Sequence, residues 1–161
     1  MKNNDPLWSV QNLYIETAPF IYYTERRVGY VEKMQRVFLA VDQGHILVST
    51  SVVTLVETLM KPLQATNVML IDRYRQMFYR TQSITLLPVT AQIAESAAYL
   101  RARYNLRTPD ALHVATALAA RCDAFLTNDL AIKRVTEIRV LVLDELYDPA
   151  PNDEPASTGS V

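Results

Sequence analysis

The chain has 161 residues, half of them hydrophobic and a fifth charged, which excludes a fibrous or fully disordered polymer and predicts one ordinary soluble domain with its own core. Its formal net charge of −1 excludes a global attraction to nucleic acid; any such binding needs a local basic patch or metal ions. The lone cysteine, Cys122, excludes an internal disulfide and a cysteine-built zinc site, and with no apolar run of the ~20 residues a membrane span needs, the expected setting is reducing and cytoplasmic.

Residues 1–12 read as a lead-in that opens on a polar stretch. Residues 13–147 read as the folded domain. Residues 13–15 form a short apolar strand. Thr17-Ala18-Pro19 then reads as a helix start, with Thr17 as cap and Pro19 in the first turn. Val31, Met34, Val37, Phe38 and Val41 share one helical face, and Gly44 stops that helix. Residues 45–49 are a second strand. Residues 51–60 carry β-branched side chains but run too long for a strand, so we read a buried helix ended by Pro62. Residues 68–79 make an amphipathic helix with Arg73, Arg75 and Arg80 off its apolar face. Residues 84–87 form a third strand, 91–104 a helix, and 108–121 another, opened by Thr108-Pro109. Cys122 belongs with this last Ala-rich helical stretch, as a buried inert thiol. Residues 124–126 and 140–143 complete the strands. The tail, 148–161, is rich in Pro, Asp, Glu and Ser and is predicted to be disordered. Strands separated by helices require crossover connections, hence parallel pairing. The predicted fold is a three-layer α/β/α domain with a mostly parallel, roughly five-stranded sheet.

In such folds, sites form at the carboxyl ends of the strands. Glu16 follows the first strand, and Asp129 follows the fourth. Glu57 lies on the helix leaving the second strand, and Asp110 opens the helix that leads into the fourth. Each also has a plain structural reading. Glu16 and Asp110 suit helix N-termini, where negative charge is favoured, and Asp129 suits the cap of a short helix. Glu57 stands among Val53, Val56 and Met60, where an unpartnered carboxylate is costly, so it needs a partner such as Lys61 or a polar site. Grouped carboxylates recruit cations, and oxygen-only donors suit Mg²⁺ or Mn²⁺. His113, one turn after Asp110, reads as a packing histidine or a neighbour of that site. Lys133 and Arg134 are candidate phosphate contacts, with solvated surface charge as the plain reading. Tyr22 and Tyr23 could stack bases, or split between core and surface.

Three stretches resemble the PIN-domain family, in particular its VapC-like toxin ribonucleases of type II toxin–antitoxin modules. They are the strand, acid and helix of residues 13–21, the segment 50–57 ending in Glu57, and Arg107-Thr108-Pro109-Asp110-Ala111-Leu112-His113 followed by Phe125-Leu126-Thr127-Asn128-Asp129. The resemblance spans about 13–146. It implies a parallel-sheet fold and Mg²⁺- or Mn²⁺-dependent endoribonuclease activity, with one or two ions. It also implies a homodimer and a cognate antitoxin, for which residues 68–80 and the N-terminal helices are candidate surfaces. Metal-binding and catalytic roles fall to Glu16, Glu57, Asp110 and Asp129, and supporting polar roles to Thr17, Thr127 and Asn128. One residue departs from the pattern: the family's first acid is ordinarily Asp, and here it is Glu16, one methylene longer. A misplacement of about 1 Å can cost roughly a hundredfold in rate.

Two alternatives follow. A PIN-like module relaxed at Glu16 would bind RNA or protein without cutting. A phospho-receiver or phosphatase domain would need an Asp nucleophile after the first strand, which Glu16-Thr17-Ala18 lacks. A dinucleotide fold is disfavoured because no Gly-rich turn follows that strand.

Overall fold

The computed structural model describes residues 6–146. The expected tail, 148–161, lies outside them, as do the first five residues of the lead-in. From Pro6 onward the lead-in folds: Pro6–Ser9 make a 3-10 turn, and Leu7 and Val10 are buried in the core.

Five strands, β1 (Asn12–Ile15), β2 (Leu47–Ser51), β3 (Ile84–Leu87), β4 (Ala124–Thr127) and β5 (Arg139–Val142), form one sheet in the order β3-β2-β1-β4-β5. Every pairing is parallel, as crossover connections demand. Among the described residues six α-helices supply the outer layers: α1 (Thr17–Thr24), α2 (Val31–Asp42), α3 (Val52–Gln64), α4 (Val68–Arg80), α5 (Ala91–Tyr104) and α6 (Thr108–Ala119). Alternation along β1 divides the core. Leu13 and Ile15 join Phe20 of α1, Met34 and Phe38 of α2, and Tyr74 and Phe78 of α4. Tyr14 points the other way, among Val114 and Ala117 of α6, Leu100 of α5 and Phe125 of β4. This is the three-layer α/β/α arrangement that alternating strands and helices imply.

Local chemistry corrects several details. Pro62 does not end α3, which continues to Gln64. A proline removes its own amide donor and crowds the carbonyl four residues back, but the residues after it keep theirs. Ser51 is the cap of α3 rather than its first residue, its hydroxyl accepting from the Val53 amide. Thr17 is not a cap: Glu16 stands at that position, and the Thr17 hydroxyl turns inward to other side chains. The last expected helix stops at Ala119, and Cys122 lies in the turn beyond it, half-buried. Arg121, at φ 54°, turns the chain out of the helix. No helix among the described residues is long and apolar enough to cross a membrane.

Candidate active site

The strands place polar residues where their carboxyl ends meet the helix N-termini. Glu16 leaves β1 and is the N-cap of α1; its amide donates to the Leu126 carbonyl of β4 at 3.2 Å, which continues the sheet one residue further. Thr127, the buried last residue of β4, donates its hydroxyl to Glu16 Oε1 at 2.7 Å and accepts from the Asp129 amide at 2.9 Å. One side chain therefore holds both acids' segments together. Burial pushes the Glu16 carboxyl above the usual carboxylate range, outweighing the Thr127 hydrogen bond, with the neighbouring charge of Asp110 adding to the rise.

Asp110 sits in the first turn of α6, 12% exposed, and is gripped by Arg107: Nε donates to Oδ2 at 2.8 Å and Nη2 to Oδ1 at 3.2 Å. The same Nη2 lies 3.9 Å from Asp129 Oδ2. Asp129 also caps the 3-10 turn Leu130–Arg134, its Oδ1 accepting from the Ala131 amide at 2.8 Å. The plain reading of Asp129 is thus realised in one oxygen, while the other faces Arg107.

Glu57 belongs to a second cluster beside the first. Lys61 is not its partner among the described contacts. Thr17 donates its hydroxyl to Glu57 Oε2 in a short hydrogen bond, and His113 Nε2 lies 3.2 Å from the same oxygen. These hydrogen bonds, that from His113 first, hold the Glu57 carboxyl below its ordinary value. The Thr17 hydroxyl also lies 3.5 Å from that of Thr54, which bonds Thr50 of β2 at 2.7 Å. The clusters feel one another: the charge of Arg107 lowers Glu57, and His113 lowers Glu16.

Other candidates are placed differently. Asn128 braces the surrounding loops, donating to the Tyr30 hydroxyl at 3.3 Å and accepting from the Asp144 amide at 3.1 Å. Lys133 is paired with Glu145 at 2.8 Å, whereas Arg134 is exposed without an ion pair among the described residues. Tyr22 stacks on Tyr30 and Tyr23 packs on Phe38. Sequence reasoning passed over Arg107 and set His113 aside as a packing residue. The available signals were an arginine three residues before an acid at a helix start, and Tyr14 interrupting an otherwise aliphatic strand.

The PIN domain family model matches residues 13–138. The chain belongs to the PIN domain family. Solved structures share this PIN fold at low identity. A VapBC2 complex from Rickettsia felis bound to a promoter DNA fragment contains a chain 14% identical, with a TM-score of 0.62, covering 82% of this chain and 98% of that one. A toxin–antitoxin complex from Klebsiella pneumoniae gives 20% identity, TM-score 0.62 and coverages of 81% and 97%. VapC20 of Mycobacterium tuberculosis, a sarcin-ricin-loop-cleaving toxin, gives 15%, 0.63, 79% and 98%. A search of curated proteins finds no significant match.

The donor chemistry of this PIN domain suits a hard divalent cation: carboxylate oxygens, with one carboxyl raised in pKa by burial and a like charge, a condition a cation relieves. The acids share one end of the sheet but not yet one coordination sphere. Among the described residues no three His, Cys, Asp or Glu side chains already stand in ligating geometry, and Arg107 holds Asp110.

Proposed function

We propose that this PIN domain is a metal-dependent endoribonuclease that hydrolyses RNA phosphodiester bonds in the cytoplasm, as the toxin of a toxin–antitoxin pair. The observation that carries the reading is the acid set at the sheet's carboxyl end, where Thr127 ties Glu16 to the Asp129 segment and the charge of Asp110 is near enough to raise Glu16. Family membership supports the reading, as does the likeness in fold to toxin–antitoxin chains, one of them described as cleaving the sarcin-ricin loop.

Glu16, Asp110 and Asp129 would hold one or two Mg²⁺ or Mn²⁺ ions, with Glu57 as a direct ligand or close beside them. A bound ion supplies charge neutralisation at the phosphodiester and lowers the pKa of a water. The chain's own residues then orient: Thr127 fixes one oxygen of Glu16, and Thr17 and His113 fix one oxygen of Glu57. No nucleophilic side chain is required. Arg134, and Lys133 once released by Glu145, are the proposed phosphate contacts. A homodimer and an antitoxin are the proposed partners. Exposed apolar side chains support such contacts, Val56, Met60 and Leu63 on α3 and Val68 and Met69 on α4.

The Arg107–Asp110 pairing favours one competing reading, a PIN module that binds without cutting. Incubating a mixed RNA pool with partner-free protein in Mg²⁺, Mn²⁺ or EDTA separates the two. Metal-dependent cleavage, lost in folded Asp110→Asn, is expected. Absence of cleavage by both the folded wild type and Glu16→Asp, each supplied with metal, sinks the nuclease reading.

A further inference from the structure

A phenol buried in a sheet must find a hydrogen-bond partner or lose stability. Tyr14 is fully buried, and its hydroxyl lies 2.9 Å from Nδ1 of His113. His113 is itself 1% exposed, and its other nitrogen, Nε2, lies 3.2 Å from Glu57 Oε2. The ring is thus engaged at both ends, by a residue of β1 and a residue of α3. Among the described residues no buried side-chain nitrogen or oxygen lacks a partner.

The order of donors follows from what each group can do. His113 Nε2 lies 3.3 Å from the Thr17 hydroxyl as well as 3.2 Å from Glu57 Oε2, and because the Thr17 proton goes to Oε2, a ring proton on Nε2 meets an acceptor on both sides. Nδ1 is then the acceptor, and the Tyr14 hydroxyl is its donor. The path reads Tyr14 Oη–H to Nδ1, then Nε2–H to Oε2. Glu57 Oε1 has no side-chain partner among the described residues.

We propose that Tyr14 and His113 are positioning residues for Glu57: the buried phenol selects the ring tautomer that donates from Nε2, and this donor, with Thr17, turns the carboxylate so that Oε1 alone is open to a ligand. The proposal rests on reading the acid cluster as a divalent-metal site. Partners that orient a site's ligands are typically worth about ten- to a hundredfold in metal affinity. A histidine that only fills space would move neither the tautomer nor that affinity.

The test uses the full chain. Nitrogen-15 NMR of labelled histidine, without metal at neutral pH, is expected to show His113 protonated at Nε2 only, and Tyr14→Phe to give a tautomer mixture. Titration with Mn²⁺ alone is expected to show about tenfold weaker binding in His113→Leu. His113→Gln, whose amide can still donate near Nε2, is expected to recover part of it, with melting curves confirming that each variant is folded. A proton on Nδ1 in the wild type overturns the proposal, as does wild-type Mn²⁺ affinity in folded His113→Leu. Failure of the wild type to bind Mn²⁺ overturns instead the metal-site reading and, with it, the role given to Glu57, while the NMR result still decides the wiring.

Discussion

Arg107 closes a two-pronged ion pair on Asp110 and reaches within 3.9 Å of Asp129, so a cation from the chain itself stands against two of the acids proposed to hold a metal. Arg107 is 75% exposed, and exposed ion pairs are worth at most about 1 kcal/mol. Removing it should therefore tighten Mn²⁺ binding by about fivefold in Arg107→Gln, read by calorimetric titration. Weaker binding would mean that Arg107 organises the acids rather than competing for them.

Glu16 gives a pH-dependent prediction for the metal-free protein. Its folded pKa is raised, chiefly by burial. The stability linked to its protonated form is fully present below the unfolded pKa, about 4.3, and is lost as pH rises through the folded value. Above the unfolded value the wild type progressively loses that stability, so Glu16→Gln should melt higher than the wild type at pH 7. Near pH 4 the two should converge. Mg²⁺ should reverse the neutral-pH order by stabilising only the wild type.

Asp129 combines a cap and a charge that substitution can separate. Asparagine caps as well as aspartate, so Asp129→Asn should keep the bond from the Ala131 amide and melt near the wild type. Its proposed cleavage activity should fall by roughly a hundredfold or more. Asp129→Ala should lose the cap as well, about 1 kcal/mol. Urea unfolding and a cleavage assay read the two effects independently.

Thr66 holds φ at 53° beyond the end of α3, a conformation costly for a β-branched residue. Thr66→Gly should stabilise by about 0.5–1 kcal/mol after glycine's greater unfolded entropy is counted. That corresponds to a melting rise of about 2 °C. An unchanged or lower melting temperature would show that the Thr66 side chain makes up the difference.

Burial pushes the Cys122 thiol up to about 11. The thiolate is the reactive form, so iodoacetamide at pH 8 should label the native protein on the order of a hundredfold more slowly than the urea-unfolded chain. Equal rates would place the thiol in water.

Much of the fold was legible because it follows from spacing. Continuous apolar triplets such as Leu13-Tyr14-Ile15, separated by helical faces, leave parallel pairing as the economical solution, and the sheet is all parallel. Boundaries were less legible where a side chain had two possible partners. Thr17 could cap its own helix or reach across to Glu57, and a local pattern does not contain α3. The same limit hid His113: its helix spacing says only that it faces inward. Its contact with Tyr14 depends on how α6 lies over β1. For Asp110, Arg107 was near in sequence, but its reach toward Asp129 requires the turn after β4.

The central place of β1 has a consequence for synthesis. Glu16 is made 111 residues ahead of its hydroxyl partner Thr127. Until β4 emerges, β1 lacks the neighbour that sets its register on that side, and the acids of the two strands remain apart. The acids proposed to hold a metal therefore come together only when nearly the whole domain has been made.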